Sequence, residues 1–200
     1  MQGQIYVFSA PSGAGKTTIT RQMVAEHAQL KLSISTTTRS MRPGEEDGVH
    51  YNFVSESEFR AAVSRGQFLE WAEVHGNLYG SDGRWVDEQL RQGFDVLFDI
   101  DVQGGHQIRA ARPEARLILI LPPSWEELER RLRDRGTDSD AVIEARLRAA
   151  EDEVRASMDY DEWVVNDDLE TALRNVRGIL RGESAFKGGQ AALQRLVNAT

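Results

Sequence analysis

Short apolar runs, separated by longer stretches of helical periodicity, set the plan of this chain. Gln4 to Ser9, Lys31 to Thr36, Val96 to Asp101, Leu117 to Leu121 and Trp163 to Asn166 are brief, apolar and bounded by turn or helix-starting residues, which predicts strands. Between them, helices are predicted over about Thr17 to His27, Ser81 to Arg91, Gly104 to Ala111, Ser124 to Arg135, Asp140 to Ser157 and Leu169 to Glu183. Ser55 with Glu58 and Ser124 with Glu127 have the spacing of a capping box, which marks two helix starts. Strands alternating with amphipathic helices imply an α/β fold, a mostly parallel sheet flanked by helices on both faces.

Two stretches break this alternation. Thr38 to Gly80 is rich in Gly, Arg, Glu and Tyr, with short strands around Tyr51 to Val54 and Phe68 to Val74 and one helix over about Ser55 to Arg65. It reads as a small inserted α+β subdomain of antiparallel strands plus a helix, lying over the carboxyl ends of the main sheet, where open α/β sheets bind ligands. The expected organisation is therefore a core of residues 1–37 and 81–200 with an insertion at 38–80. Within the core, about 125–150 forms a short helical lid, polar and Arg-rich from Arg131 to Arg146. Gly44, Gly80 and Gly136 read as hinge positions. Residues 182–200 combine Gly-Gly with a weak helical pattern and offer no nameable chemistry.

The first strand runs into Ala10-Pro11-Ser12-Gly13-Ala14-Gly15-Lys16-Thr17-Thr18. Strand, Gly-rich loop and helix in this order are what a phosphate-binding P-loop requires, although Ala10 stands where the pattern has its first glycine. The glycines let consecutive N–H groups point into one concavity, and the helix adds its positive N-terminal end. Lys16 can reach the outer phosphates of a nucleoside triphosphate, and the Thr17 hydroxyl can ligate Mg²⁺. Asp99 and Asp101 close an apolar strand, and alternate positions share one face of a strand. Asp99 is expected near Mg²⁺, through water, and Asp101 can equally cap the next helix. Arg39 and Arg42, three apart on one turn, can clamp a phosphate with paired donors, and a solvated basic turn is the alternative.

Composition narrows the chemistry. A formal net charge of −8 argues against broad nucleic-acid or anionic-membrane binding. Without cysteine there is no disulfide framework, thiolate nucleophile or zinc-thiolate site, which suits the cytoplasm. Met1 leads directly into the first strand, so no signal peptide is expected, and no apolar run approaches membrane-spanning length. His27, His50, His75 and His106 are scattered without metal-ligand spacing. Monomer and homodimer are both left open.

The stretches S-A-P-S-G-A-G-K-T, S-x-T-T-T-R-x-x-R-P-G-E-x-x-G-x-x-Y-x-F, F-L-E-W-A-E-V-x-G-N-x-Y-G-S, D-I-D-V-Q-G, R-L-R-D-R-G and V-V-N-D-D-L together resemble the guanylate kinase family, over about Ile5 to Ile179. The middle motifs are far more specific than the P-loop. The resemblance implies transfer of the γ-phosphoryl of ATP to GMP with Mg²⁺ as cofactor, and leaves use of dGMP open. It makes 38–80 the GMP-binding subdomain. Arg39, Arg42, Tyr51 and Tyr79 would hold the GMP phosphate, and Ser35, Glu70, Ser81 and Asp101 would read the base. Guanine presents a ring N–H and an exocyclic amine side by side, a double donor that suits a carboxylate and that adenine lacks. Arg131, Arg135 and Arg146 match the arginines that close over the transferring phosphoryl, and Asn166 matches an adenine-side position.

The sequence also departs from the family pattern. Met41 replaces a common proline and Leu78 a frequent tyrosine, while Asp82 would place negative charge near the GMP pocket. Two other readings stay in play. One is a guanylate-kinase-like scaffold module that binds phosphopeptides without catalysis. The other is a related kinase acting on a phosphorylated sugar.

Overall fold

A computed structural model describes residues 3–74, 76–134, 136, 138–183 and 188–199. In chain order the elements are β1 (Ile5–Ser9), α1 (Lys16–Glu26), β2 (Leu30–Leu32), β3 (Thr36–Thr37), β4 (Asn52–Phe53), α2 (Glu56–Ser64), β5 (Phe68–Val74) and β6 (Asn77–Asp82). They continue with α3 (Gly83–Arg91), β7 (Asp95–Asp99), α4 (Val102–Ala111), β8 (Arg116–Leu121), α5 (Trp125–Asp134), α6 (Asp140–Ala156), β9 (Glu162–Val165), α7 (Leu169–Leu180) and α8 (Gly188–Asn198).

The main sheet has the order β2-β7-β1-β8-β9, with every pairing parallel. Its central strands carry continuous apolar runs, Ile5–Phe8, Val96–Phe98 and Leu117–Leu121, because both faces are covered. Alternate residues feed two cores. Ile5, Val7, Val96, Phe98, Leu117 and Leu119 pack on one side against α3, α4, α6 and α8. Tyr6, Phe8, Leu97, Ile118 and Ile120 pack on the other against α1 and α7.

The predicted strand Lys31 to Thr36 is two strands. Leu30–Leu32 joins the main sheet, whereas Thr36–Thr37 belongs to a second sheet of order β4-β3-β6-β5. The chain changes sheets at Ser33 to Ser35. The second sheet is mixed and not purely antiparallel, because β3 and β4 run parallel. It spans residues 36–82, slightly wider than the expected 38–80. Gly80 is no hinge. It sits within β6, where an added Cβ would come to 3.0 Å from Phe68 and 3.1 Å from the Glu70 carbonyl oxygen.

The Ser55–Glu58 capping box is complete. At α5 only half of the second box forms. The Glu127 N–H donates to Ser124 Oγ at 3.2 Å, while the Glu127 carboxylate turns to Arg130 and Arg131. The helix expected from Ser81 begins at Gly83, with the Asp82 carboxylate capping it through the Arg84 and Trp85 N–H groups.

Candidate active site

The P-loop is the turn between β1 and α1. Gly13 and Gly15 take φ of 101° and 94°, conformations that suit glycine. Ala14 N–H donates to the Pro11 carbonyl at 3.0 Å, which closes the curl. Ala10 sits half-buried at the end of β1, and Ser12 and Thr18 are exposed. Among the described residues no side chain caps α1, and its first turn holds no acid, so its N–H groups remain available for an anion. Lys16 Nζ folds back onto the sheet edge, 2.6 Å from Asp99 Oδ1 and 2.8 Å from the Ile100 carbonyl oxygen.

Asn166 is buried beneath this loop. Its amide donates to the Ala14 carbonyl at 2.7 Å, and an added Cβ on Gly15 would lie 2.2 Å from Asn166 Nδ2. The side chain of Asn166, expected from the sequence on the adenine side, braces the loop. Arg131 donates to the Asn166 backbone carbonyl at 2.8 Å and to Glu127 at 2.8 Å, and Arg146 donates to Ser12 Oγ at 3.1 Å. Both lid arginines therefore rest against the phosphate loop or its brace. Arg135, named with them, lies outside the described residues, as does His75.

A cleft of about 840 Å³ opens beside the loop, between the carboxyl end of β7 and the second sheet. Thr17, Ser35, Tyr51, Glu70, Tyr79, Asp99 and Asp101 all line it. Thr17 and Asp99 are the oxygen donors on the P-loop side. Mg²⁺ typically takes one or two protein oxygens and completes its shell with phosphates and water, so this sparse donor set fits that ion.

Opposite stands Glu70, 5% exposed, accepting from Ser81 Oγ at 2.6 Å. Burial pushes its carboxyl up to about 7, against the Ser81 hydrogen bond that lowers it, and Asp101 adds to the rise. Asp101 lies beyond the end of β7, not within a strand as expected, and caps α4 by accepting from Gly104 N–H at 2.7 Å. The capping role and the cleft-lining position coexist.

Arg39 is held by a carboxylate that was not singled out from the sequence. Its two terminal nitrogens donate to Glu45 at 2.7 and 3.1 Å, and its guanidinium lies 5.2 Å from the Tyr51 ring and 5.7 Å from the Phe53 ring. These bonds, with the Arg42 N–H at 2.7 Å, hold the Glu45 carboxyl down at about 2. Arg42 itself is exposed, and its backbone N–H donates to Glu45. A second unforeseen residue is Glu153 on α6. Burial raises its carboxyl to about 7, with Asp101 raising it further and Lys16 opposing. Its Oε2 has no hydrogen-bond partner among the described residues. Asp82, in contrast, turns away from the cleft to cap α3 and to accept from Gln67 Nε2 at 2.6 Å. Leu78 is buried and Met41 is exposed.

A parallel sheet with a P-loop, a lysine–aspartate pair at the sheet edge and a carboxylate-lined cleft under an inserted second sheet define a P-loop kinase of small phosphorylated acceptors. The comparisons with known proteins are more specific. The guanylate kinase family model matches residues 2–183. A guanylate kinase of Dechloromonas aromatica is 50% identical over 96% of this chain and 95% of its own length, and one of Vibrio parahaemolyticus is 50% identical over 96% and 93%. The crystal structure of guanylate kinase from Anaplasma phagocytophilum aligns with a TM-score of 0.73 at 33% identity, covering 99% of this chain and 95% of that one. The chain belongs to the guanylate kinase family.

Proposed function

We infer that the protein is an ATP:GMP phosphotransferase that returns GMP to the guanine nucleotide pool. The bond from the γ-phosphorus to its bridging oxygen breaks, a bond to a GMP phosphate oxygen forms, and ADP and GDP leave. The observation that carries the acceptor assignment is Glu70, a buried carboxylate opening into the same cleft as Thr17 and Asp99. Facing GMP it accepts from the ring N–H and the exocyclic amine. Facing AMP the lone pairs not taken by Ser81 stay unsatisfied in a buried place, which is costly.

The remaining residues take roles that follow from charge and position. Ser35, Ser81 and Asp101 complete the base site, and Arg39, Arg42, Tyr51 and Tyr79 take the acceptor phosphate. The backbone N–H groups of Ser12 to Thr18, apart from that of Ala14, which the Pro11 carbonyl already takes, cradle the donor phosphates. Lys16 exchanges its contacts with Asp99 and the Ile100 carbonyl for the outer phosphates. Arg131, Arg135 and Arg146 neutralise charge that spreads over the equatorial oxygens. No general base is needed, because the attacking phosphate is already an anion. Thr17 and Asp99 are the residues that would hold Mg²⁺, which would supply charge neutralisation on the donor phosphates. Among the described residues no helix is long and apolar enough to cross a membrane. We place the enzyme in the cytoplasm, acting on free nucleotides without nucleic-acid or membrane partners.

The test is ADP release from ATP and Mg²⁺ with GMP, dGMP, AMP, CMP and UMP as parallel acceptors. Turnover confined to the guanine nucleotides is expected. Turnover on a different base overturns the reading of Glu70, and GMP binding without turnover indicates the scaffold module instead.

A further inference from the structure

β5 is the edge of the second sheet, paired only with β6. One side of its backbone therefore lacks a strand partner. At Trp71 both outward groups are taken by a single side chain from the main domain. Trp71 N–H donates to Gln107 Oε1 at 3.2 Å, and Gln107 Nε2 donates to the Trp71 carbonyl at 3.1 Å. A primary amide presents acceptor and donor side by side, the same pair that a neighbouring strand would offer.

The residue before this clamp is Glu70. Successive side chains of a strand point to opposite faces, so Trp71 turns to solvent at 40% exposure while Glu70 turns into the cleft. Gln107 sits on α4, where Asp101, Gly104 and Gln107 follow at intervals of three and share one face. Along that face Asp101 caps the helix, and Gly104 leaves room for the reader. A Cβ there would lie 3.3 Å from Glu70 Oε2 and 3.3 Å from Asp101 Oδ1. One helix face thus carries one carboxylate, makes space for the second and grips the strand that bears it.

We propose that Gln107 is a positioning residue for base specificity: its amide fixes the strand of Glu70 to the helix of Asp101, so that both carboxylates keep the spacing that reads the guanine edge. The proposal rests on Glu70 reading the base. A carboxylate accepting two parallel hydrogen bonds tolerates little displacement, since these bonds weaken steeply once stretched or bent. The clamp holds the part of the second sheet nearest that contact.

The experiment compares kcat/KM for GMP and for IMP, which lacks the exocyclic amine, in the wild type, Gln107→Met, Gln107→Glu and Glu70→Gln. Gln107→Met keeps the side chain's length and loses both bonds. It is expected to raise KM for GMP about tenfold, with kcat and KM for ATP within about twofold, and to lower the GMP to IMP ratio. Gln107→Glu keeps the acceptor for Trp71 N–H and is expected to fall between Gln107→Met and wild type. It carries the same test if Gln107→Met does not fold. A merely structural role lowers the amount of active enzyme and leaves the ratio untouched. An unchanged ratio in both Gln107 variants, where Glu70→Gln shifts it, overturns the clamp alone. An unchanged ratio in Glu70→Gln as well overturns the base reading, and the proposal with it.

Discussion

At the scale of single residues, the P-loop lysine carries the sharpest expectation. Among the described residues Lys16 contacts Asp99 and the Ile100 carbonyl at the sheet edge, and no hydrogen bond or ion pair joins it to the second sheet. Lys16→Met therefore removes charge from the donor phosphates while leaving the acceptor cleft intact. We expect kcat to fall by about 10²–10³, the usual scale for losing one charge-stabilising group, and calorimetric Kd for GMP to stay within about twofold. Near-normal turnover refutes the P-loop assignment. Lys16 and Asp99 were readable from the sequence because each belongs to a local motif with a fixed order of strand, loop and acid. Glu153 and Gln107 were not. Gln107 bonds a strand far away in the chain, and Glu153 feels Lys16 and Asp101 from a distant helix, while their own neighbourhoods look like ordinary charged or polar helix faces. Asp82 was read in the wrong direction for a related reason: a carboxylate one position before a helix is drawn to the free N–H groups there, and that preference outweighs proximity to the cleft.

At the scale of elements, the loop between β1 and α1 depends on a brace from the far edge of the sheet. Asn166 follows β9, and its amide satisfies the buried Ala14 carbonyl. In Asn166→Ala that carbonyl loses its partner, at a cost of about 1–3 kcal/mol. For a chain of this size the loss lowers Tm by roughly 2–10 °C. KM for ATP is expected to rise more than KM for GMP, because the disturbed element holds the donor phosphates. Equal effects on both substrates argue that Asn166 serves general packing only. Parallel strands and their helices were legible because burial on both faces writes continuous apolar runs. β6 was missed since N-L-Y-G-S-D carries a glycine and lacks the alternation of a half-buried strand, its burial being set by β3 and β5 rather than by local preference. α8 was missed because it opens on two glycines, yet Ala192, Leu193 and Leu196 bury against the main core. Tertiary packing rescues a helix that propensity alone would not support.

At the scale of the whole molecule, the site holds carboxyls that folding makes harder to ionise, and stability must therefore depend on pH. Glu70 and Glu153 each rise from 4.5 to about 7, chiefly through burial. Between those values the folded protein binds more protons than the unfolded chain, so stability falls as pH rises through this window. Glu26, Glu45 and Glu127, held at about 2 by arginines, act in the opposite sense, but only as pH falls below 4.5. From pH 5.5 to 8 the raised pair sets the slope. For Glu70 alone the part of the shift that falls between pH 5.5 and 8 corresponds to ~2 kcal/mol, so the ligand-free protein is expected to melt roughly 5 °C lower at pH 8 than at pH 5.5. Glu70→Gln, neutral throughout, loses part of that dependence. GMP brings two donors to the ionised carboxylate and repays its desolvation, so the rise in Tm on adding GMP is expected to be larger at pH 8 than at pH 5.5. Differential scanning calorimetry at both values, with and without GMP, checks all of this together. A GMP-induced rise that is the same at both values in wild type and in Glu70→Gln would mean that the buried carboxylate does not meet the base.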